Sequence, residues 1–274
     1  MTTYMLPCLL SGHWIRHTDI VWSGTAVGVR ISNPATVSPG TIDDSLKMNL
    51  QKLNEAVSQY KNFLQANPNY NPYWKWESQR VFKENWDIDS RNFYDMFDAC
   101  LQNSQTRRLW NREHYAPKDM MLKFIRTSEE YVRFAFQDLF NENKEIEGRV
   151  DRFVFYCDEL LREYREKYPT KKENTHYHND NYEIISHYLA FRFPDIYTPY
   201  HFETFKNLML LLGSRDVPKV NDTARYFKVM RTIFNFIKKE EGLLAVHQQR
   251  LDEEIHFMGE TLLIVDDFCK ITIM

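Results

Sequence analysis

Glycine is scarce in this chain, with eight in 274 residues, and half of those (Gly12, Gly24, Gly28, Gly40) stand before position 41. So few permissive backbone positions exclude a turn-rich β architecture for the remainder. Cysteine is equally sparse: Cys8, Cys100, Cys157 and Cys269 are scattered without a CxxC pair. That argues against a disulfide framework or a zinc ribbon and for buried, reduced thiols. No apolar run approaches the roughly 20 residues needed to cross a bilayer. The N-terminus lacks a basic stretch followed by a sustained apolar one. The expectation is therefore a cytoplasmic protein with no membrane partner. Chemistry-bearing motifs are also missing. There is no GxxxxGK[ST], no GxGxxG after a strand, no HExxH and no G-x-S-x-G, so neither a catalytic residue nor a cofactor is expected within the chain.

What is abundant is material for helices and a core. The chain is 43% hydrophobic and 15% aromatic, with many Leu, Lys, Glu, Phe and Tyr, a mixture that favours helix over strand. The reading is a mainly α protein: a short irregular or β-containing leader over 1–40, then one all-helical, bundle-like domain over 41–274, with a possible sub-boundary near 170–180. In the leader, Thr25 to Ile31 alternates as a strand does. Thr41 can cap a first helix running to Asn67-Pro68, with Leu46, Leu50, Leu53, Val57, Tyr60 and Leu64 at spacings of three and four. Further helices are predicted over 72–85, from an Asp89-Ser90 cap to 103, from Ala116-Pro117, from Ser128, and over 145–168, where Val150, Phe153, Cys157, Leu160 and Tyr164 form one stripe. The stretch 174–193 opens with a polar lead and must stop as a helix by Phe193, because Pro194 cannot continue it. Helices over 201–212, 222–239 and 243–256 follow, then an apolar segment over 261–273.

Three sets of residues could carry function. His176, His178 and Asp180 come close to the HxHxDH metal-binding pattern of the metallo-β-lactamase fold, with Asn181 in place of the final His. No apolar strand precedes them, so a polar loop opening a helix is the leading reading and a metal-dependent hydrolase a third choice. His187 and His201 read as packing histidines, Asp158, Glu159, Glu163 and Glu166 as a solvated face, and Asp266-Asp267 has no evident partner nearby in sequence. The second set is cationic. At 100° per residue, Arg225, Lys228, Arg231, Lys238 and Lys239 share about 140° of arc on one helix, opposite Phe227, Met230, Ile233, Phe234 and Ile237. Residues 199–239 hold eight Lys and Arg against three Asp and Glu, a basic block in a chain of net charge −3. Such a face can track a phosphate backbone. Arg107, Arg108 and Arg112 around Trp110 pair cations with an aromatic that could stack on a base. Trp74, Trp76 and Trp86 offer either an aromatic cage or, at helical spacing, a packed core.

The central block carries a resemblance. Ser186-His-Tyr188-Leu189, then Arg192-Phe193-Pro194-Asp195-Ile-Tyr197, Tyr200 and Phe205-Lys206, resembles the helical N-terminal region that precedes the AAA+ motor in McrB-like, modification-dependent restriction proteins. Tyr73-Trp74-Lys75-Trp76-Glu77, Phe82, Trp86 and Phe93 resemble the opening of that region. Where the family has an Arg after its acidic lead, this chain has Asn181 and Tyr182, and the motor is absent from it. The resemblance implies a non-catalytic recognition module of a phage-defence system, sensing DNA for an AAA+ motor and a nuclease subunit supplied elsewhere. The alternative is a protein-interaction scaffold that docks a motor, a nuclease or a phage protein.

Overall fold

The computed structural model of the chain describes residues 48–104, 109–110, 116–169 and 182–273. The leader, Arg107, Arg108, Arg112, His176, His178 and Asp180 lie outside the described residues. The chain divides into two units, Met1–Ile42 and Asp43–Met274, and the helices below all belong to the second. Among the described residues there are eleven helices and no strand, as the low glycine content and the 3.6-residue periodicity require. They are α1 Leu50–Ala66, α2 Trp74–Asn85, α3 Phe93–Cys100, α4 Pro117–Thr127, α5 Glu129–Leu139, α6 Ile146–Lys167, α7 Glu183–Arg192, α8 Phe202–Leu211, α9 Thr223–Lys239, α10 Leu243–Gln248 and α11 Leu263–Thr272.

Several boundaries follow from local chemistry. α4 starts at Pro117, whose missing N–H costs nothing in the first turn. α7 stops before Phe193-Pro194. Asp222 caps α9 by accepting the Arg225 N–H at 2.9 Å. Three boundaries differ from the sequence reading. α1 begins at Leu50, capped by the Asn49 side chain on the Lys52 N–H at 3.1 Å, and not at Thr41. α3 is capped by Asn92 and not by Asp89-Ser90. α10 ends eight residues before the predicted His256. There the Asp252 side chain accepts from the Glu254 N–H (2.9 Å) and the Asp252 N–H is taken by His256 Nδ1 (2.8 Å), so local turns replace helical bonds. Arg250, released from a helix, donates to the Leu64 and Asn67 carbonyls at 2.6 and 2.9 Å and so closes the end of α1.

The helices pack in two groups. α2, α3 and α7 stack with α4, α5 and α6, while α1, α8, α9, α10 and α11 form the other group, and α6 meets α9 between them. α7 is buried from Ile184 to Phe191 on every side, the signature of a core helix. Its polar atoms are used internally: Ser186 Oγ accepts the Tyr200 N–H at 2.7 Å, and Gln79 donates to the Ala190 carbonyl at 2.8 Å. The hinge after α7 is fastened through Tyr197, which accepts from buried Arg149 at 2.5 Å and donates to Glu142 at 3.0 Å. Cys100, Cys157 and Cys269 are buried, and burial pushes the Cys100 thiol up to about 12.

Aromatic rings fill the first group. Phe136 is fully buried and its ring lies 5.0–5.8 Å from those of Trp86, Phe97, Phe140, Phe153 and Tyr188. Trp76 and Trp86 are thus packed against the core, so the packed-core reading of the tryptophans holds for them. Phe136→Ala should lower stability by about 3–5 kcal/mol in urea denaturation followed by circular dichroism; a loss under about 1 kcal/mol would mean that the ring cluster does not hold α3, α5 and α7 together.

Candidate nucleic-acid interface

The cationic side chains of α9 divide into two kinds. Lys228, Arg231, Lys238 and Lys239 are exposed along the helix, while Tyr226, Phe227, Met230, Ile233, Phe234 and Ile237 are buried. From Lys228 to Lys239 the face runs about 16 Å at 1.5 Å per residue, on the order of five base-pair rises of 3.4 Å. Arg231 reaches back only to the Ile196 carbonyl at 3.3 Å. The Lys238 ammonium lies 4.6 Å from the Phe234 ring and pairs with Glu260 at 3.0 Å. Lys239 sits 5.6 Å from the Phe236 ring. Among the described residues, neither Arg231 nor Lys239 has a carboxylate partner.

Arg225 does a different job. It is half-buried, pairs with Asp216 at 3.4 Å and also donates to the Asp216 carbonyl, clasping the loop between α8 and α9. Its charge is spent inside the fold, which removes it from the outer face. Trp110 requires a correction as well. It is 3% exposed and its ring stacks on Tyr188 at 5.6 Å and 13°. Because its face is covered by a core ring, it has no surface to offer a base. Arg107 and Arg108, read together with it, lie outside the described residues.

The two histidines of the central block are packed, as the sequence suggested. His187 is buried with Nδ1 2.7 Å from the Glu183 carbonyl. His201 lies 3.9 Å from Glu183 and 3.8 Å from Asp266. Burial pulls its pKa down, and the opposing carboxylates do not restore it against the ammonium groups of Lys270 and Lys75. The described residues contain no group of three or more His, Cys, Asp or Glu able to hold a metal ion, and no helix among them is long and apolar enough to cross a membrane.

Asp266 leads to the feature that sequence reading missed. α11 buries two adjacent carboxylates, Asp266 and Asp267, 1% and 0% exposed. Asp266 pairs with buried Lys75 of α2 and, at 3.0 Å, with Lys270 one turn further on. Asp267 accepts the hydroxyls of Tyr60 at 2.8 Å and Tyr70 at 2.6 Å. Burial works against ionising Asp266, yet Lys75, Lys270 and His201 hold its carboxyl well below the usual carboxylate range. Asp267 is pushed up by burial in spite of the two tyrosine hydroxyls, and the neighbouring Asp266 charge adds to the rise. Of the two ammonium groups on Asp266, buried Lys75 is shifted down and the more exposed Lys270 up. The legible signals were the i, i+4 pair Asp266–Lys270 inside an apolar segment and a lysine held between Trp74 and Trp76.

In comparisons with known proteins, no family model, no curated protein and no solved structure matches this chain.

The two carboxylates predict opposite pH behaviour. A depressed folded-state pKa makes Asp266 stabilising above the unfolded carboxylate range near 4, and this contribution fades as pH falls through that range toward the folded value. Asp267, with its pKa raised, contributes most at low pH and loses that contribution as pH rises through its folded value. Asp266→Asn should therefore cost about 3–5 kcal/mol at pH 7, because it strands Lys75, and the penalty should shrink below about pH 4. Asp267→Asn should cost less at pH 7. Chemical denaturation of the two variants across that range checks this, and equal, pH-independent penalties would contradict it.

Proposed function

We propose that the chain is a non-catalytic nucleic-acid recognition module that holds a DNA phosphate backbone along the outer face of α9. The observation that carries this reading is the row of exposed Lys228, Arg231, Lys238 and Lys239 on a helix whose other face is locked into the core. A rigid row of cations neutralises phosphates and releases counterions, which gives affinity without sequence preference. Supporting context comes from the resemblance of the block around Ser186 to Phe205 to the sensing region of McrB-like restriction proteins. On that context the motor and the nuclease of a defence assembly are supplied elsewhere.

A second reading rests on a different surface. Phe134 and Phe155 are 49% and 57% exposed, and their rings lie 5.3 and 6.0 Å from that of Tyr156, with Tyr131 5.7 Å from the same ring. An aromatic patch of this kind is what a protein partner covers, so the same module can also serve as a docking scaffold.

Fluorescence anisotropy with a labelled 20-base-pair duplex tests the first reading. If all four exposed cations engage, log K against log salt should fall with a slope of up to roughly −3.6. Arg231→Ala and Lys239→Ala should each reduce that slope by about one unit. Arg225→Ala should loosen the α8–α9 loop and lower thermal stability while leaving the slope alone. Absence of binding at low salt, or a slope unchanged by Arg231→Ala and Lys239→Ala, would end the proposal.

A further inference from the structure

α9 exposes five side chains: Lys228, Arg231, Asn235, Lys238 and Lys239. Four are cations, and the fifth is an uncharged carboxamide set among them. At 100° per residue, with Asn235 taken as zero, Lys228 and Lys239 lie at about +20° and +40°, and Arg231 and Lys238 at about −40° and −60°. Asn235 therefore stands near the midline of the face, with two cations on either side. A stripe built only to track a phosphate backbone gains nothing from a neutral residue along its crest. Nor does the fold explain it. Asn is among the poorer helix formers in a helix interior. Asn235 is exposed and, among the described residues, has no hydrogen-bond partner. Thr232, the nearest other uncharged polar side chain, is spent locally, its hydroxyl donating to the Lys228 carbonyl at 3.0 Å.

The dimensions and chemistry of this layout select one part of a duplex. A helix with its side chains is about 10–12 Å across, which fits a major groove about 12 Å wide and not a minor groove of about 6 Å. With the crest of α9 in the groove, the cations on its two flanks face the phosphates of the two bordering strands, and the residue at the crest faces base edges. A carboxamide offers an acceptor and an N–H donor side by side. Adenine presents the complement in the major groove, with its N6 amino donor beside the N7 acceptor. Guanine presents two acceptors, thymine one acceptor and a methyl group, and cytosine one donor. Only adenine satisfies both ends of Asn235.

We infer that α9 enters the major groove and that Asn235 reads an adenine there, its Oδ1 accepting from N6 and its Nδ2 donating to N7. This rests on the DNA reading above and adds to it a sequence preference that the cations by themselves do not supply. The four cations set the affinity and its salt dependence, and Asn235 sets which base is favoured at one position.

The test selects from a 20-base-pair duplex pool, randomised over its central pairs, with the full unaltered chain, and sequences the bound fraction. One position should be enriched in adenine by roughly tenfold. Asn235→Ala should abolish that enrichment while leaving the salt slope of pool binding unchanged, since no phosphate contact is removed. The variant keeps the fold, because Ala favours helix more than Asn does at an exposed site. Replacing the selected adenine by 7-deazaadenine, which keeps the base pair and loses N7, should weaken binding of the unaltered chain by roughly fivefold and leave Asn235→Ala indifferent. Salt-dependent binding without an enriched adenine, or an adenine preference that survives Asn235→Ala, would overturn this inference and leave the phosphate reading standing. Absence of binding at low salt would end both.

Discussion

The ion pair between Lys75 and Asp266, closed off from water and shared with Lys270, is the contact on which the arrangement of the helices depends. It joins α2, from one packing group, to α11, from the other. The next residue, Asp267, faces the opposite neighbours and takes hydroxyls from Tyr60 of α1 and from Tyr70 in the following loop. Two carboxylates about 100° apart on one helix therefore address two different partners. An apolar helix of ten residues could rotate or slide in a greasy groove at little cost. α11 cannot, because a one-residue slip would leave at least one carboxylate in hydrocarbon without its partner, a cost of several kcal/mol. Buried ion pairs rarely add much net stability over apolar packing. What this one adds is register, and the positions of α1, α8 and α9 against α11 follow from it.

Much of the fold is legible in the sequence, for physical reasons that differ from helix to helix. α6 and α9 announce themselves because a long apolar stripe and a charged face at one period leave no other structure able to bury the first and solvate the second. Proline and its effect on the preceding residue fix the ends of α4 and α7. Short-range side-chain competition is harder to read. Asn49 and Asn92 prevail over equally good capping residues nearby, and Arg250 leaves the α10 pattern to close α1, about 185 positions away. No local pattern can announce a bond of that span.

The candidate sites separate along the same line. The exposed cations of α9 were visible because they obey helical periodicity. Arg225 shares that periodicity, but its role depends on Asp216, nine residues back across a loop. Trp110 looks like a stacking platform when only its arginine neighbours are considered. Its burial against Tyr188 is a tertiary fact. The Lys75–Asp266 centre was overlooked for the same reason, since 191 residues separate the partners.

What emerges is a body whose titratable interior serves register and whose outer helix carries the exposed cations on which the proposed contact with a polyanion rests. Rigidity suits that role, because cations held on a fixed helix lose little freedom when phosphates arrive. Backbone amide chemical-shift mapping with a saturating duplex oligonucleotide reports this most directly. Perturbations concentrated on the exposed positions from Lys228 to Lys239, with the α5–α6 surface around Phe134 and Phe155 unmoved, are the predicted result. A footprint centred on that aromatic surface, with α9 silent, would contradict the account.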